Sequence, residues 1–589
     1  MSYRIVLKDA FKGYTLDQDK VLSPEETVRR FRERLRDVDM DILEETVRID
    51  NGRLDIPIYF SVCGRDAEEM IGTRKQMGKG GTPAQSEASA VMELAERFSF
   101  FSFSKVPGNF IVEEYRNLKE GAIPFESIAR SVHDDTPDLD RSREVFSRIP
   151  LKWTAGFNMT RGEEVLIPFD WFFAINEFNG PSAGNCVEEA ISQGVCEVVE
   201  RHVSSIVSRE RLRTPGIDLS TLSDPLLKEM LGKYRKAGIR LFASDFSLDM
   251  GIPSVGVLAY DPVTFPEKSE IVWTAGTTPD PQKALSRALT EVAQLAGDFN
   301  SSSNYVASGL PKFQDLSEAD FVIHREKEVD ISTLPDLSNH NIRVEVENCI
   351  SALARKDMEV MVIDVTHPRL KIPAFYTIIP GAHFRERAVG TSVGMFCAKL
   401  MAERGDPRWA LAELEKMDRL LPGKYYVKFF MGLSHLSLNQ HSKAIYHLEE
   451  ALNLGPKEED IPAIYSYMGV CLKEQGRYAD ALRVLRKGEE HDRERTDIHN
   501  LMGFCYFKLR EYERAIESFR KVLAIDPGSA IDYANIASNY REMGNIKEAV
   551  RHYRLALELD DTIEFAKENL KKLEGSRGSS GPDWGKRVA

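Results

Sequence analysis

The sequence predicts a mixed α/β body followed by an all-α solenoid, and three observations carry that reading. Short β-like runs alternate with helical stretches as far as about residue 400. The last third repeats itself at a period near 34 residues. The 589 residues exceed what one core organises, which predicts about three or four units. Hydrophobic residues at 42% and charged residues at 29% are the balance of a folded chain. The formal charge of −14 argues against a broad nucleic-acid surface but leaves small anions such as nucleotides, which metal ions bridge to acids.

Taken in order, residues 1–20 alternate charged and apolar residues and lack the apolar core of a secretory leader. No run approaches bilayer length, so the expectation is a cytoplasmic chain without a membrane partner. Residues 23–48 read as one charged helical stretch within an amino-terminal segment, 1–64, that packs on the body. The β-like runs are 56–62, 165–169, 254–260, 359–365 and 374–379, with an acid-rich surface excursion at 315–341. Seven scattered cysteines without a Cys-x-x-Cys pair read as reduced core thiols. A joining helix is expected within 396–423, after Gly405-Asp406-Pro407. Beyond it, aligning Gly432, Gly469, Gly503 and Ala537 also aligns Ala444, Ala481, Ala515 and Ala549. A small residue is needed where two helices of a hairpin touch, and aromatic residues such as Tyr506, Phe519 and Tyr540 fill the gaps between stacked hairpins. This pattern resembles tetratricopeptide repeats, about four of them over 424–574, with a polar tail at 575–589 that reads as disordered.

Three helical segments of the body carry acids in an unusual pattern. In the first, Ser89, Glu93, Glu96 and Arg97 share one helical face behind a Gly-rich turn, Gly78-Lys79-Gly80-Gly81-Thr82, that brings an ammonium and backbone N–H groups toward a phosphate. The turn lacks Walker spacing. In the second, Asn179-Gly180-Pro181-Ser182-Ala183-Gly184-Asn185 leads into a helix where Glu197 lies about 80° and Glu200 about 20° from Glu189, at about 100° per residue. The apolar residues between them point to a largely covered helix, where three like charges need compensating cations. Mg2+ suits that role, since it takes carboxylate oxygens together with nucleotide phosphates. In the third, Arg287, Glu291 and Gln294 share a face, setting a guanidinium for phosphate beside a carboxylate for metal. Alone, each Glu-x-x-Glu-Arg reads as a solvated face with an internal ion pair; two copies in apolar helices weigh against that. His202 and His367 read as structural, residues 98–103 as core, and no Ser/His/Asp or Cys/His arrangement stands out.

Together these motifs, with Ile372-Pro373 and Pro380-Gly381, resemble in order and approximate spacing those of YcaO-domain proteins over residues 65–385. The resemblance implies an α/β catalytic domain over 65–395 with an ATP site unlike Walker or protein-kinase sites, and ATP-dependent activation of a peptide or protein backbone amide. It implies Mg2+ ligands at Glu93, Glu96, Glu189, Glu197, Glu200 and Glu291. It implies ATP contacts at Lys79, Ser89, Ser182, Asn185, Arg201 and Arg287, although Gly180-Pro181-Ser182 departs from the family's usual sequence. An adjacent side chain adding to the amide gives an azoline, sulfide a thioamide and an amine an amidine. Without a fused peptide-clamping domain or a proline-rich end, the expectation is a stand-alone member working with a separate partner protein, thioamide formation ahead of azoline formation. The repeats are expected to bind peptide or protein partners, or else to buttress the body or form a homodimer contact. The rival reading is an ATP-binding scaffold that recruits partners without amide chemistry.

Overall fold

A computed structural model describes residues 4–118, 121–301, 305, 309–325, 327–384 and 391–575. The expected disordered tail lies, beyond Gly575, outside the described residues. The chain divides into a body, Met1–Leu139 with Phe146–Val393, and a repeat unit, Gly394–Ala589 with Asp140–Val145.

Among the described residues the body holds three sheets. Strands β1 (Leu43–Arg48), β2 (Ile58–Cys63) and β3 (Lys75–Lys79) form an antiparallel sheet in that order. The expected continuous helix over 23–48 is therefore corrected. Helix α1 (Pro24–Asp37) stops at Val38, and Thr46 and Val47 enter β1, where β-branched side chains fit a pleated surface better than a helix. The second sheet has the order β11 (Val272–Thr277), β10 (Ser254–Tyr260), β9 (Arg240–Asp245), β8 (Gly216–Ile217), β12 (Glu328–Val329). Strand β12 lies inside the expected surface excursion, which is also corrected. Phe321 within it meets the Trp273 indole edge-on, and Phe313 just ahead of it stacks on the same indole at 4.9 Å, so apolar residues in and beside the acidic stretch hold it to the body. The third sheet runs β4 (Ile111–Glu114), β5 (Pro150–Asn158), β13 (Met361–Asp364), β14 (Ala374–Ile378), β7 (Pro181–Ala183), with β6 (Glu163–Pro168) also on β5.

Helices α2 (Pro83–Lys105), α5 (Val187–Arg209) and α6 (Pro281–Ala296) pack on these sheets and carry the acidic motifs. Two begin on matched caps: Thr82 accepts from the Gln85 N–H, and Asp280 from those of Gln282 and Lys283, each followed by proline at the first helical position. Close strand-to-helix contact depends on missing side chains. A Cβ at Gly78 of β3 would stand 2.1 Å from the Ala90 nitrogen of α2, and one at Gly276 of β11 2.2 Å from the Ala284 oxygen of α6. Helix α5 is covered almost all round, with Ala190, Ile191, Val195, Val198, Val199 and Val203 buried. Each valine or isoleucine so buried contributes about 1.5–3 kcal/mol, which offsets the placing of acids on the same helix. Helix α7 (Ile342–Ala354) flanks α5, α4 (Phe169–Asn176) precedes β7, and α3 (Leu139–Phe146) has its ends in the body and its centre in the repeat unit.

The repeat unit opens with α8 (Val393–Arg404) and α9 (Pro407–Leu420), the latter capped by Asp406. Four helical hairpins follow: α10 and α11 (Tyr425–Ser437, His441–Asn453), α12 and α13 (Ile461–Glu474, Tyr478–His491), α14 and α15 (Thr496–Lys508, Tyr512–Ile525), α16 and α17 (Ala530–Glu542, Ile546–Leu559). Helix α18 (Glu564–Gly575) ends the described chain. Ala444, Ala481, Ala515 and Ala549 are fully buried at the predicted contacts. All seven cysteines are free thiols, and among the described residues no helix is long and apolar enough to cross a membrane.

Candidate active site

Helices α2, α5 and α6 converge on one cavity of about 320 Å³. Ser89, Glu93, Glu96 and Arg97 reach it from α2; Glu189, Gln193, Glu197 and Arg201 from α5; Arg287, Glu291 and Gln294 from α6. Lys79, at the end of β3, and Asn185, ahead of α5, complete the predicted set that lines it. The spacing of each motif on its helix brings these groups together, because every acid and its arginine fall within one turn of each other.

The acids are held by cations. Lys79 Nζ binds Glu291 Oε2 at 2.5 Å. Arg97 lies 2.9 Å from Glu93 and 3.5 Å from Glu96. Arg201 lies 3.7 Å from Glu197 and 3.5 Å from Glu200, and Arg287 donates to Glu200 at 3.2 Å. The Gln193 amide, turned so that its oxygen faces Arg287, accepts from both terminal guanidinium nitrogens at 3.0 Å. Burial, and then the neighbouring Glu93, push the Glu96 carboxyl well above its ordinary value. Burial also raises Glu197, against the opposing pull of Arg201, Arg97 and Arg287. Burial works against the charged form of Glu291 too, but Lys79, Arg201 and Arg287 outweigh it and hold that group below the usual glutamate range.

Two predicted residues lie elsewhere. Ser182 is fully buried in β7, and its hydroxyl donates to the Ala190 carbonyl, so the expected contact with ATP is corrected: the serine ties β7 to α5. Glu200 is also fully buried and does not line the cavity. Its Oε2 accepts from the Thr277 N–H and from Arg287, and its Oε1 lies 3.5 Å from Arg201, so it sits behind the two arginines that line the cavity. Glu189 lines the cavity but already accepts at both oxygens. Oε1 takes the Val21 N–H at 2.5 Å and Oε2 takes the Asn185 backbone and side-chain N–H groups at 2.8 and 3.1 Å. The Val21 bond exposes what sequence reasoning missed. Gln18, Lys20, Leu22 and Thr27 of the amino-terminal segment line the same cavity. Among the described residues, Lys20 is the lining cation with no carboxylate ion pair. Nothing local marks it as a site residue, because its segment is held across the body by Lys283, Asn341 and the acids of α5 rather than by any motif of its own.

The donor set fits a Mg2+–nucleotide pair. Among the described residues no group of three acids forms a ready cage for a metal ion. Mg2+ does not need one, since it keeps water and takes one or two carboxylates plus substrate phosphates. Glu200 Oε1 lacks a hydrogen bond, and Glu96 is pushed toward its protonated form, both marks of acid in excess of local donors. A bound cation would relieve that excess, and phosphates would take over arginines now spent on glutamates.

The family model for YcaO cyclodehydratase, ATP- and Mg2+-binding, matches residues 77–383, and two tetratricopeptide-repeat models match 496–529 and 533–562. An uncharacterised protein of Methanothermobacter thermautotrophicus is 27% identical over 383 residues, 62% of this chain and 94% of that protein. The Escherichia coli ribosomal protein S12 methylthiotransferase accessory factor YcaO is 28% identical over 296 residues, covering 46% of this chain and 48% of that one. A heterocyclase solved in complex with substrate and cofactor shares the fold at a TM-score of 0.54 and 22% identity; the match covers 65% of this chain and 55% of the heterocyclase. With a model match over just more than half its length, laid on the helices that build the cavity, the chain belongs to the YcaO family, which binds ATP and Mg2+.

Proposed function

We propose that this protein uses ATP and Mg2+ to activate a backbone amide of a peptide or protein, and that a nucleophile supplied with a separate partner converts the amide to a thioamide or an azoline. The observation that carries this reading is the convergence of five glutamates and four paired cations on one cavity. When bound, Mg2+–ATP supplies a phosphoryl group that turns the poorly leaving amide oxygen into phosphate, a good leaving group. Glu93, Glu96, Glu197 and Glu291 face the cavity as metal-holding carboxylates. Glu189 joins them through lone pairs that its Val21 and Asn185 donors leave open. Lys79, Arg201 and Arg287 offset phosphate charge, with Ser89 and Asn185 as neutral contacts. Glu200 keeps two of those guanidinium groups aimed. Thioamide formation stands ahead of azoline formation.

The test uses the full chain. Mg2+ with ATP should raise the melting temperature strongly and ATP with chelator should not, because a ligand stabilises only through the state it binds; at a hundredfold excess over Kd the gain is about 2.7 kcal/mol. Phosphate release should then require peptide substrate and nucleophile. A melting temperature indifferent to Mg2+–ATP would sink the proposal, and nucleotide binding that never supports phosphate release with any peptide would favour the scaffold reading.

A further inference from the structure

Between α4 and β7 lies a turn, residues 177–180, bonded to three side chains that line the cavity and also to β14, where the Thr377 N–H donates to the Gly180 carbonyl at 2.9 Å. The Phe178 carbonyl accepts from Arg97 at 3.3 Å, the Asn179 side-chain oxygen from Arg201 Nε at 3.1 Å, and the Gly180 N–H donates to Glu197 at 3.3 Å. Three consecutive residues are thus held by three charged side chains that line the nucleotide site. The turn opens on Glu177 at φ 46°, ψ −112°, a conformation rare for a residue with a Cβ and found where surrounding structure imposes it.

The turn presents Phe178 outward. This ring is 46% exposed although it lies beside Phe101 at 5.7 Å and Phe173 at 6.2 Å, and the Arg97 guanidinium sits 5.7 Å from its centroid. An exposed phenylalanine beside an arginine that lines a charged cavity is costly in water and useful against an apolar group. A polypeptide amide brought to this cavity carries flanking residues, and Phe178 is an exposed apolar ring next to the cavity's Arg97. We propose that Phe178 is the apolar contact for the peptide segment flanking the reacting amide, on a turn whose seat is set by Arg97, Arg201 and Glu197. This rests on the amide-activation reading and names a specificity-determining residue within it. Nucleotide and metal draw on Arg201 and Glu197, two of these three side chains, so peptide and nucleotide binding are coupled through the turn.

The experiment uses the full chain saturated with Mg2+ and a non-hydrolysable ATP analogue, with acetyl-leucyl-leucine amide and acetyl-glycyl-glycine amide as probes read by saturation-transfer NMR. The leucyl probe should bind saturably and the glycyl probe should not. Phe178→Ala should weaken leucyl binding by about tenfold or more, as removal of a contact aromatic does, while Phe178→Tyr retains it. Omitting the nucleotide should change leucyl affinity by at least about threefold, the low end of a coupling between sites. Equal binding of both probes, or of wild type and Phe178→Ala, overturns the proposal. A wild type that binds the nucleotide yet no peptide overturns it while sparing the nucleotide reading; failure to bind the nucleotide ends both.

Discussion

Glu197 and Glu200, one turn apart on α5, respond differently to the same change. Glu197 lines the cavity and burial raises its pKa, so its charge costs free energy until a cation arrives. Glu197→Gln should leave the melting temperature of the ligand-free protein equal or higher and abolish most of the rise produced by Mg2+–ATP, a trade of function against stability that thermal scans with and without ligand measure. Glu200→Gln removes a fully buried carboxylate from between two partly buried guanidinium groups. Breaking a buried pair from one side costs about 3–5 kcal/mol, and losing an orienting partner about 10–100-fold in affinity, so this variant should lose stability and ligand response together. Both outcomes reversed would show that the two acids had been assigned to the wrong sides of the cavity wall.

Among elements, β11 and α6 form one of the tight joints of the site. Gly276→Ala would press a methyl group against the Ala284 carbonyl, and α6, which carries Arg287 and Glu291, would have to shift. Overpacking of this kind costs about 1–3 kcal/mol, and here it should also weaken Mg2+–ATP binding, measured by titration calorimetry on folded protein. A second test lies at the residues following β14. The His383 ring stacks on His133 at 3.7 Å, its backbone N–H donates to His202 Nδ1 at 3.0 Å, and burial followed by the neighbouring His133, His202 and Arg209 pulls His383 down to about 3. A histidine held neutral in this way contributes stability that is fully present above about pH 6.5 and lost as pH falls toward 3, because the unfolded chain takes the proton first. His383→Phe, which keeps a ring in the stack, should flatten the fall in melting temperature between pH 6.5 and 4; an unchanged slope would remove this group from the acid response. The legible elements were those with local signals: Thr82-Pro83 and Asp280-Pro281 start helices by their own chemistry, and the acids recur at helical spacing. Strand β1 was hidden because its pairing with β2 is decided by tertiary contact rather than by its charged composition. Ser182 was misread because its neighbours in sequence line the site while its own side chain turns into the joint with α5. Lys20 and Phe178 were missed because their roles arise from residues roughly 100 or more positions away, or from a turn conformation that no composition encodes.

At the scale of the molecule, the chain is two units, and the boundary is not one cut. The repeat unit includes Asp140–Val145, drawn from the middle of the body's sequence. A chain ended at Val393 should keep its thermal response to Mg2+–ATP, since every lining residue lies before that point, yet melt at lower temperature than the full chain. Loss of the response in a folded truncation would tie nucleotide binding to the repeats. The same borrowed segment bears on synthesis. Roughly 250 residues separate Val145 from Gly394, and at about 5–20 residues per second the ribosome needs on the order of 10–50 s to deliver the first partner of a stretch already made. Closing so long a gap adds little in chain entropy, because each doubling of a loop costs only about 0.6 kcal/mol, so the interval is a delay rather than a thermodynamic burden. During it residues 140–145 of α3 await the unit with which they cluster. Trypsin added to ribosomes stalled at Val393 should cut within residues 140–145, and release of the full chain should close that window.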